Sequence, residues 1–451
     1  MKTNTEANPT TMAGGAEYVL SVALDWGDKK HAWALRVAGS PKVEQGEVDA
    51  SPEAMEVWAS ALGQRSGGAP VALVLEQPRG AVVAMLGKYA HLVLYPVPAS
   101  MSAHYRQGFR PSGAKSDASD AVLLLDLVEK HRDHLRVLKP DSDQTRLLQL
   151  LTEQRRRIVD ERTGYANQLQ DGLKQVFPQM VRWFEDVKMP LVRAVLQRWP
   201  RLEELKKAKP ETLRKFFHQH SCRSESLIEE RIREISEAVP ATRDVALLEA
   251  MGMRIKHWLR IIAEQSEAIK ELEQKIETVA RQHPDYDIFG SLPGAGEALI
   301  PRLIAAWGTD RDRYQNAQQM LCYSGIAPVV SASGNRSWVH WRWACPKFLR
   351  QTFHEFAQHS MAQSEWALAY YEHQRERGKQ HHAAVRALAY KWIRIMFRCW
   401  KQRKLYQESQ YQDVLRKRLT PKVQEQPADL KILWGSCGSA HRIKKLSGIS
   451  A

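Results

Sequence analysis

The chain has 451 residues, 43% of them hydrophobic and 26% charged, which is enough for two or three domains with full cores. No apolar stretch approaches the roughly 18 residues that cross a bilayer, and residues 1–15 lack the apolar centre of a signal peptide, so the expectation is a cytosolic protein with a disordered N-terminal tail. Five scattered cysteines without a C-x-x-C pair argue against a disulfide scaffold or a zinc site, and the net charge of +15 is concentrated from Ser331 onward, where 22 Lys and Arg stand against 8 Asp and Glu.

In chain order, Tyr18-Val-Leu-Ser-Val-Ala-Leu-Asp25 reads as a buried strand that ends in an acid. A hairpin-like pair (29–37 and 43–49) and a polar helix (52–62) follow. Val71-Ala-Leu-Val-Leu-Glu76-Gln-Pro78 is a second apolar strand ending in an acid, and Pro78 stops the ladder because it has no N–H to donate. A helix at 79–88 and a strand at Leu92–Pro96 come next. In Lys115-Ser-Asp117-Ala-Ser-Asp120-Ala-Val-Leu-Leu-Leu, a polar start before an apolar run predicts a helix N-terminus, and spacing i, i+3 puts both carboxylates on one face. Each acid alone has a plain explanation as a turn former or helix cap. As an ordered set, Asp25, Glu76, Asp117 and Asp120 would repel one another unless cations neutralised them, and hard oxygen donors suit Mg²⁺ or Mn²⁺. Two such ions about 4 Å apart stabilise both oxygens of a phosphodiester displacement. The order β-β-β-α-β-α-β-α is that of the RNase H-like fold, so the expected class is α/β plus α, with a RuvC-like domain at 16–140.

Residues 142–178 carry Leu147, Leu151, Ile158, Tyr165, Leu169, Leu173 and Val176 at helical spacing. A second long helix carries Ile255, Leu259, Ile262, Ile269, Leu272, Ile276 and Val279, close to a coiled-coil repeat. Five prolines between Pro178 and Pro240 divide the intervening chain into short helices. The region 141–285 is therefore read as helical, its long helices pairing either with each other or across a dimer seam. Arg155, Arg156, Arg157 and Arg162 are equally compatible with a nucleic-acid backbone and with water.

The third part, 286–405, opens with Gly290-Ser-Leu-Pro-Gly294-Ala-Gly296 before a helical run to Trp307. A Gly-rich turn entering a helix can present free amides to a phosphate, as in helix-hairpin-helix elements, although such turns are also common for packing alone. Beyond it, Trp338, Trp341 and Trp343, and later Trp392, Phe397 and Trp400, interleave with basic residues, a pattern that suits stacking on nucleic acid and also suits an ordinary core. His373, His381 and His382 stand among Arg and Lys, where solvent or RNA contact is favoured over a metal site. Residues 406–451 read as a basic tail.

These motifs together resemble the DEDD-type transposases of the insertion sequence family one-ten, the bridge-RNA-guided recombinases. Asp25, Glu76 in Leu-Glu-Gln-Pro, and Asp117 with Asp120 match the family's D, E, D, D set in order. Leu292-Pro-Gly-Ala-Gly matches its Pro-Gly-x-Gly turn, and Gly325-Ile-Ala-Pro328 followed by Ser333-Gly334 matches its nucleophile segment. The resemblance covers roughly residues 17–135 and 286–400. It implies Mg²⁺ (or Mn²⁺) held by the four acids, Ser333 as nucleophile of a phosphoserine-linked intermediate, and recombination without ATP. It also implies double-stranded donor and target DNA, a structured non-coding RNA, a homodimer or homotetramer, and a bacterial, nucleoid-associated cytoplasmic setting. Gly294, Gly296, Arg336, Trp338, Arg342, Lys347 and Arg350 are the expected nucleic-acid contacts, Ser331 being the other serine of the segment. A metal-dependent junction endonuclease using water, and a binding scaffold with structural acids, are the competing readings.

Overall fold

The computed structural model describes residues 18–109, 117–184, 186–334 and 336–413. The expected tail at 1–15, most of the expected basic tail, Lys115 and Cys437 lie outside them. The chain forms two compact units that meet in sequence between Pro140 and Asp141.

The first unit contains β1 (Leu20–Asp25), β2 (Lys30–Val37), β3 (Val43–Asp49), α1 (Pro52–Arg65), β4 (Val71–Leu75), α2 (Ala81–Leu86), β5 (Leu92–Pro96), α3 (Ala99–Phe109) and α4 (Asp117–His131). The strands form one sheet in the order β3-β2-β1-β4-β5. The first three are antiparallel, whereas β1, β4 and β5 run parallel. Every residue of β4 is buried, as expected of a central parallel strand covered on both faces. Polar β3 occupies an edge, where charged side chains discourage further pairing. On one face, Leu20, Val22, Leu24, Leu73 and Leu75 pack with Met55, Ala59, Leu62, Val82 and Leu86. On the other, the small residues Ala23, Ala34 and Ala72 receive Ala121, Leu124, Leu125 and Val128 of α4. The element order matches the sequence reading, with α3 added. That helix carries few buried residues, so its apolar periodicity is weak.

The second unit opens with α5 (Asp143–Val176), followed by α6 (Gln179–Trp183), α7 (Pro190–Arg198), α8 (Leu202–Lys206), α9 (Pro210–Gln219) and α10 (Glu225–Glu237). It continues through α11 (Val245–Arg281), α12 (Tyr286–Gly290), α13 (Leu299–Trp307) and α14 (Ala317–Tyr323) to the hairpin of β6 (Val329–Ser333) and β7 (Arg336–His340). The last helices are α15 (Lys347–Ser360), α16 (Glu365–Glu376) and α17 (His381–Gln402). Helices α5 and α11 pair with each other and run antiparallel. Gln144 donates to the Val279 carbonyl at 3.0 Å, Arg155 Nε to Glu273 at 2.9 Å, and Arg162 to Ser266 at 3.3 Å. Three of the four arginines left open by the sequence are thereby engaged within the chain, since Arg156 also pairs with Asp160 at 2.8 Å. Trp392 and Trp400, offered above as stacking platforms, are instead fully buried in the core around α13, with Phe397 packed against it. Their large apolar area favours burial over exposure to a ligand.

A buried polar group joins α5 to the start of the C-terminal helices. His283 accepts the Asp285 N–H on Nδ1 at 3.1 Å and places Nε2 2.8 Å from Thr145 Oγ1, so the neutral Nε2–H tautomer satisfies both partners. Burial lowers its pKa below the ordinary 6.5, against the opposing pull of nearby Asp285. A folded pKa below the unfolded value means that stability is fully present above about pH 6.5 and declines as pH falls below it. We expect the melting temperature to drop between about pH 7 and about pH 5, and His283→Gln to flatten that slope. A wild-type melting temperature independent of pH over this range would contradict the assignment.

Candidate active site

Parallel pairing sets two of the acids side by side. Leu24 of β1 pairs with Leu75 of β4, so Asp25 and Glu76 are the next positions on neighbouring strands, at the carboxyl end of the parallel part of the sheet. Open α/β sheets bind ligands at this edge. Asp25 is buried, and Glu76 is half-buried just past the end of β4. Helix α4 begins at Asp117, which is exposed, whereas Asp120 one turn later is only 2% exposed. The two remain one turn apart on α4 and differ in exposure.

Glu76 and Asp120 line one small cleft together with Ser102, Tyr105 and Arg106 of α3. Arg106 Nε donates to Asp120 Oδ1 at 2.8 Å, while Asp120 Oδ2 is buried with no hydrogen-bond partner among the described residues. A buried carboxylate oxygen with an unused lone pair is costly unless something occupies it. Among the described residues, no three His, Cys, Asp or Glu side chains close on a single point. The donors at this edge are hard oxygens of the kind a divalent cation takes: Asp120 offers an oxygen to the cleft that Glu76 shares, and Asp25 ends the adjacent strand.

In the second unit, Ser333 ends β6 at the tip of an exposed hairpin, directly across from Arg336, and Gly334 turns the chain at φ 56°. Alternation places Ser331, Ser333, Arg336, Trp338 and His340 on one face of the hairpin. Ser331 Oγ lies 3.0 Å from His340 Nε2, and His340 Nδ1 lies 3.2 Å from the Trp341 carbonyl. The carbonyl requires the proton on Nδ1, leaving Nε2 to accept from Ser331. His340 is not among the residues that the sequence alone singles out. Two short runs separated by the two residues Gly334-Asn335, a hairpin signal, mark it in the sequence.

The expected nucleic-acid contacts are distributed over several environments. Arg336, Trp338 and Lys347 are exposed. Arg342 is half-buried, with Nη2 3.9 Å from Cys322 Sγ. Arg350 lies over the Trp341 ring at 5.3 Å, and Arg386, which the sequence reading did not select, stacks on the same ring at 3.1 Å. The Gly294 amide, expected to be open to a phosphate, donates to Gln363 Oε1 at 2.9 Å. Gly296 uses its carbonyl to start α13, accepting from Leu299 and Ile300. Of the three histidines considered together, His381 sits 2.8 Å from the Tyr371 hydroxyl and meets His382 edge to face, while His373 lies 3.8 Å from Glu376.

An RNase H-like strand order with acids at its carboxyl edge defines a nuclease-like class of protein, and comparison with known proteins makes the class specific. A family model for DEDD transposases of the IS110 type matches residues 22–178, and one described as transposase of the IS116/IS110/IS902 family matches residues 286–372. The chain is 27% identical over 348 residues to the IS117 mini-circle protein of Streptomyces coelicolor, whose name describes it as a putative transposase, covering 76% of this chain and 84% of that protein. It is 25% identical over 332 residues to the 44.8 kDa protein of insertion element IS116 from Streptomyces clavuligerus, covering 72% and 80%. The chain belongs to the IS110 family of DEDD transposases, enzymes of mobile elements that act on DNA. No helix among the described residues is long and apolar enough to cross a membrane.

Proposed function

We propose that this transposase cuts and rejoins DNA strands through a serine nucleophile, Ser333, with Mg²⁺ or Mn²⁺ held by Asp25, Glu76, Asp117 and Asp120. The observation that carries the metal part is the buried Asp120 Oδ2, without a partner among the described residues, in a cleft shared with Glu76. Divalent cations would supply charge stabilisation to the attacking and leaving oxygens of the phosphodiester. Ser333 suits attack on a bulky polymer because it stands at an exposed hairpin tip, with the Arg336 guanidinium across the turn to meet a phosphate oxygen. Forming the Ser Oγ–P bond breaks the bond from phosphorus to the leaving strand. The phosphodiester energy is kept in the protein–DNA link, so rejoining requires no ATP.

The partners in this reading are double-stranded donor and target DNA and a structured non-coding RNA that selects them by base pairing. The protein itself then reads backbone and shape through the exposed Trp338, Trp341 and Trp343 and the basic residues around them. A homodimer or homotetramer in the bacterial cytoplasm, associated with the nucleoid, completes the proposal.

The test is to incubate the protein with its native flanking DNA and Mg²⁺ and to look for a covalent adduct on a denaturing gel. Wild type and Ser331→Ala are expected to form the adduct, and Ser333→Ala to lose it. Cleavage without any adduct, indifferent to Ser333, would replace this reading with a metal-dependent junction endonuclease that uses water.

A further inference from the structure

We infer that Arg106 is a built-in counter-ion that competes with a divalent cation for Asp120 and weakens the cation's hold on the cleft. The inference rests on the metal-binding reading above and adds a residue that this reading does not use.

Asp120 is 2% exposed and forms an ion pair with Arg106, Nε to Oδ1 at 2.8 Å. The second oxygen, Oδ2, has no partner among the described residues and lies in the cleft that Glu76 also lines. A guanidinium satisfies a carboxylate fully when its fork takes both oxygens. Here it takes one and leaves the other open, an arrangement that stabilises the buried charge while giving an incoming metal a first point of attachment. Arg106 reaches the site from α3, and the neighbouring Tyr105 fastens that helix to α4 through a 2.7 Å hydrogen bond from its hydroxyl to Asp126. Arg106 therefore meets Asp120 from a fixed platform.

A cation on Oδ2 would face the guanidinium across a single carboxylate. The repulsion between a divalent ion and the guanidinium is subtracted from the attraction that each has for the shared anion. Arg106 and the metal thus compete for the charge of Asp120. That competition lowers the metal's affinity, which leaves the site weakly metallated until substrate phosphates add ligands of their own. Arg106 is a positioning residue in this scheme, acting through Asp120.

The experiment is calorimetric titration of the full-length protein, free of DNA, with Mn²⁺. Arg106→Gln is expected to bind Mn²⁺ roughly tenfold more tightly than wild type, the equivalent of one charge-assisted hydrogen bond removed from the competition. Adding Asp120→Asn to that variant should abolish the gain. Equal or weaker binding in Arg106→Gln overturns the inference while leaving the metal reading intact, whereas no binding in either protein removes both. A second readout needs no variant: Mg²⁺ should speed phenylglyoxal modification of Arg106 several-fold, measured by mass spectrometry, because a cation on Asp120 loosens the ion pair. An unchanged rate contradicts the inference even if Arg106→Gln fails to fold.

Discussion

Replacing Asp120 with Asn is expected to reduce Mg²⁺-dependent strand cleavage by roughly a thousandfold or more, while binding to DNA stays within a fewfold of wild type. The substitution keeps the shape of the side chain and removes the charge. In the metal-binding reading, that charge is part of what holds a cation against a developing oxyanion, an interaction worth several kcal/mol. Asp120 is also buried against Arg106, so the variant leaves a partly buried guanidinium facing a neutral amide. Cleavage assays must therefore be accompanied by a melting curve, to separate lost chemistry from lost fold. Asp25→Asn, at the end of β1, is expected to reduce cleavage similarly. If both variants fold and cleave within about tenfold of wild type, the four acids are not the catalytic set.

Gly294→Ala should destabilise the second unit by about 3 kcal/mol, the sum of a left-handed backbone and a collision that cannot relax. Gly294 has φ 82°, and a Cβ there would lie 2.7 Å from the His359 carbonyl carbon and 2.8 Å from Ser360 N. These are backbone atoms in the last turn of α15, so no side-chain rotation relieves the contact. Gly296 is the internal control. A Cβ there meets nothing among the described residues within 4 Å, and Gly296→Ala is expected to change stability by less than about 0.5 kcal/mol. Calorimetric melting of both variants checks the pair. A Gly294→Ala protein as stable as wild type would restore the view that this glycine serves a ligand.

The glycines of this turn illustrate where sequence reasoning stopped. The spacing Pro-Gly-x-Gly marked the turn correctly, but a phosphate grip and a close helix contact leave the same trace in a sequence. The difference lies in residues 359–363, which are remote in the chain and adjacent in the fold. The tryptophans behave in the same way. Trp338 and Trp343 are exposed whereas Trp392 and Trp400 are buried, yet all four stand among basic residues. Helix α17 buries one stripe at positions 385, 388, 389, 392, 393, 396 and 400, a helical period that could have assigned Trp392 and Trp400 to the core.

The elements that carry the acids, the two long helices, and the order of motifs that ties the chain to its family are all legible without coordinates. Each is written in local periodicity: a continuous apolar run ended by an acid, or apolar residues recurring every third and fourth position. Which neighbours those residues meet came from packing. Strand pairing put β1 beside β4, so that Asp25 and Glu76 end together, and helix packing joined α5 to α11 within the chain. The fold also gave Asp120 its arginine and Ser331 its histidine. A side chain's partner across a sheet or cleft depends on how distant elements pack, and that packing leaves no mark at fixed spacing in the sequence.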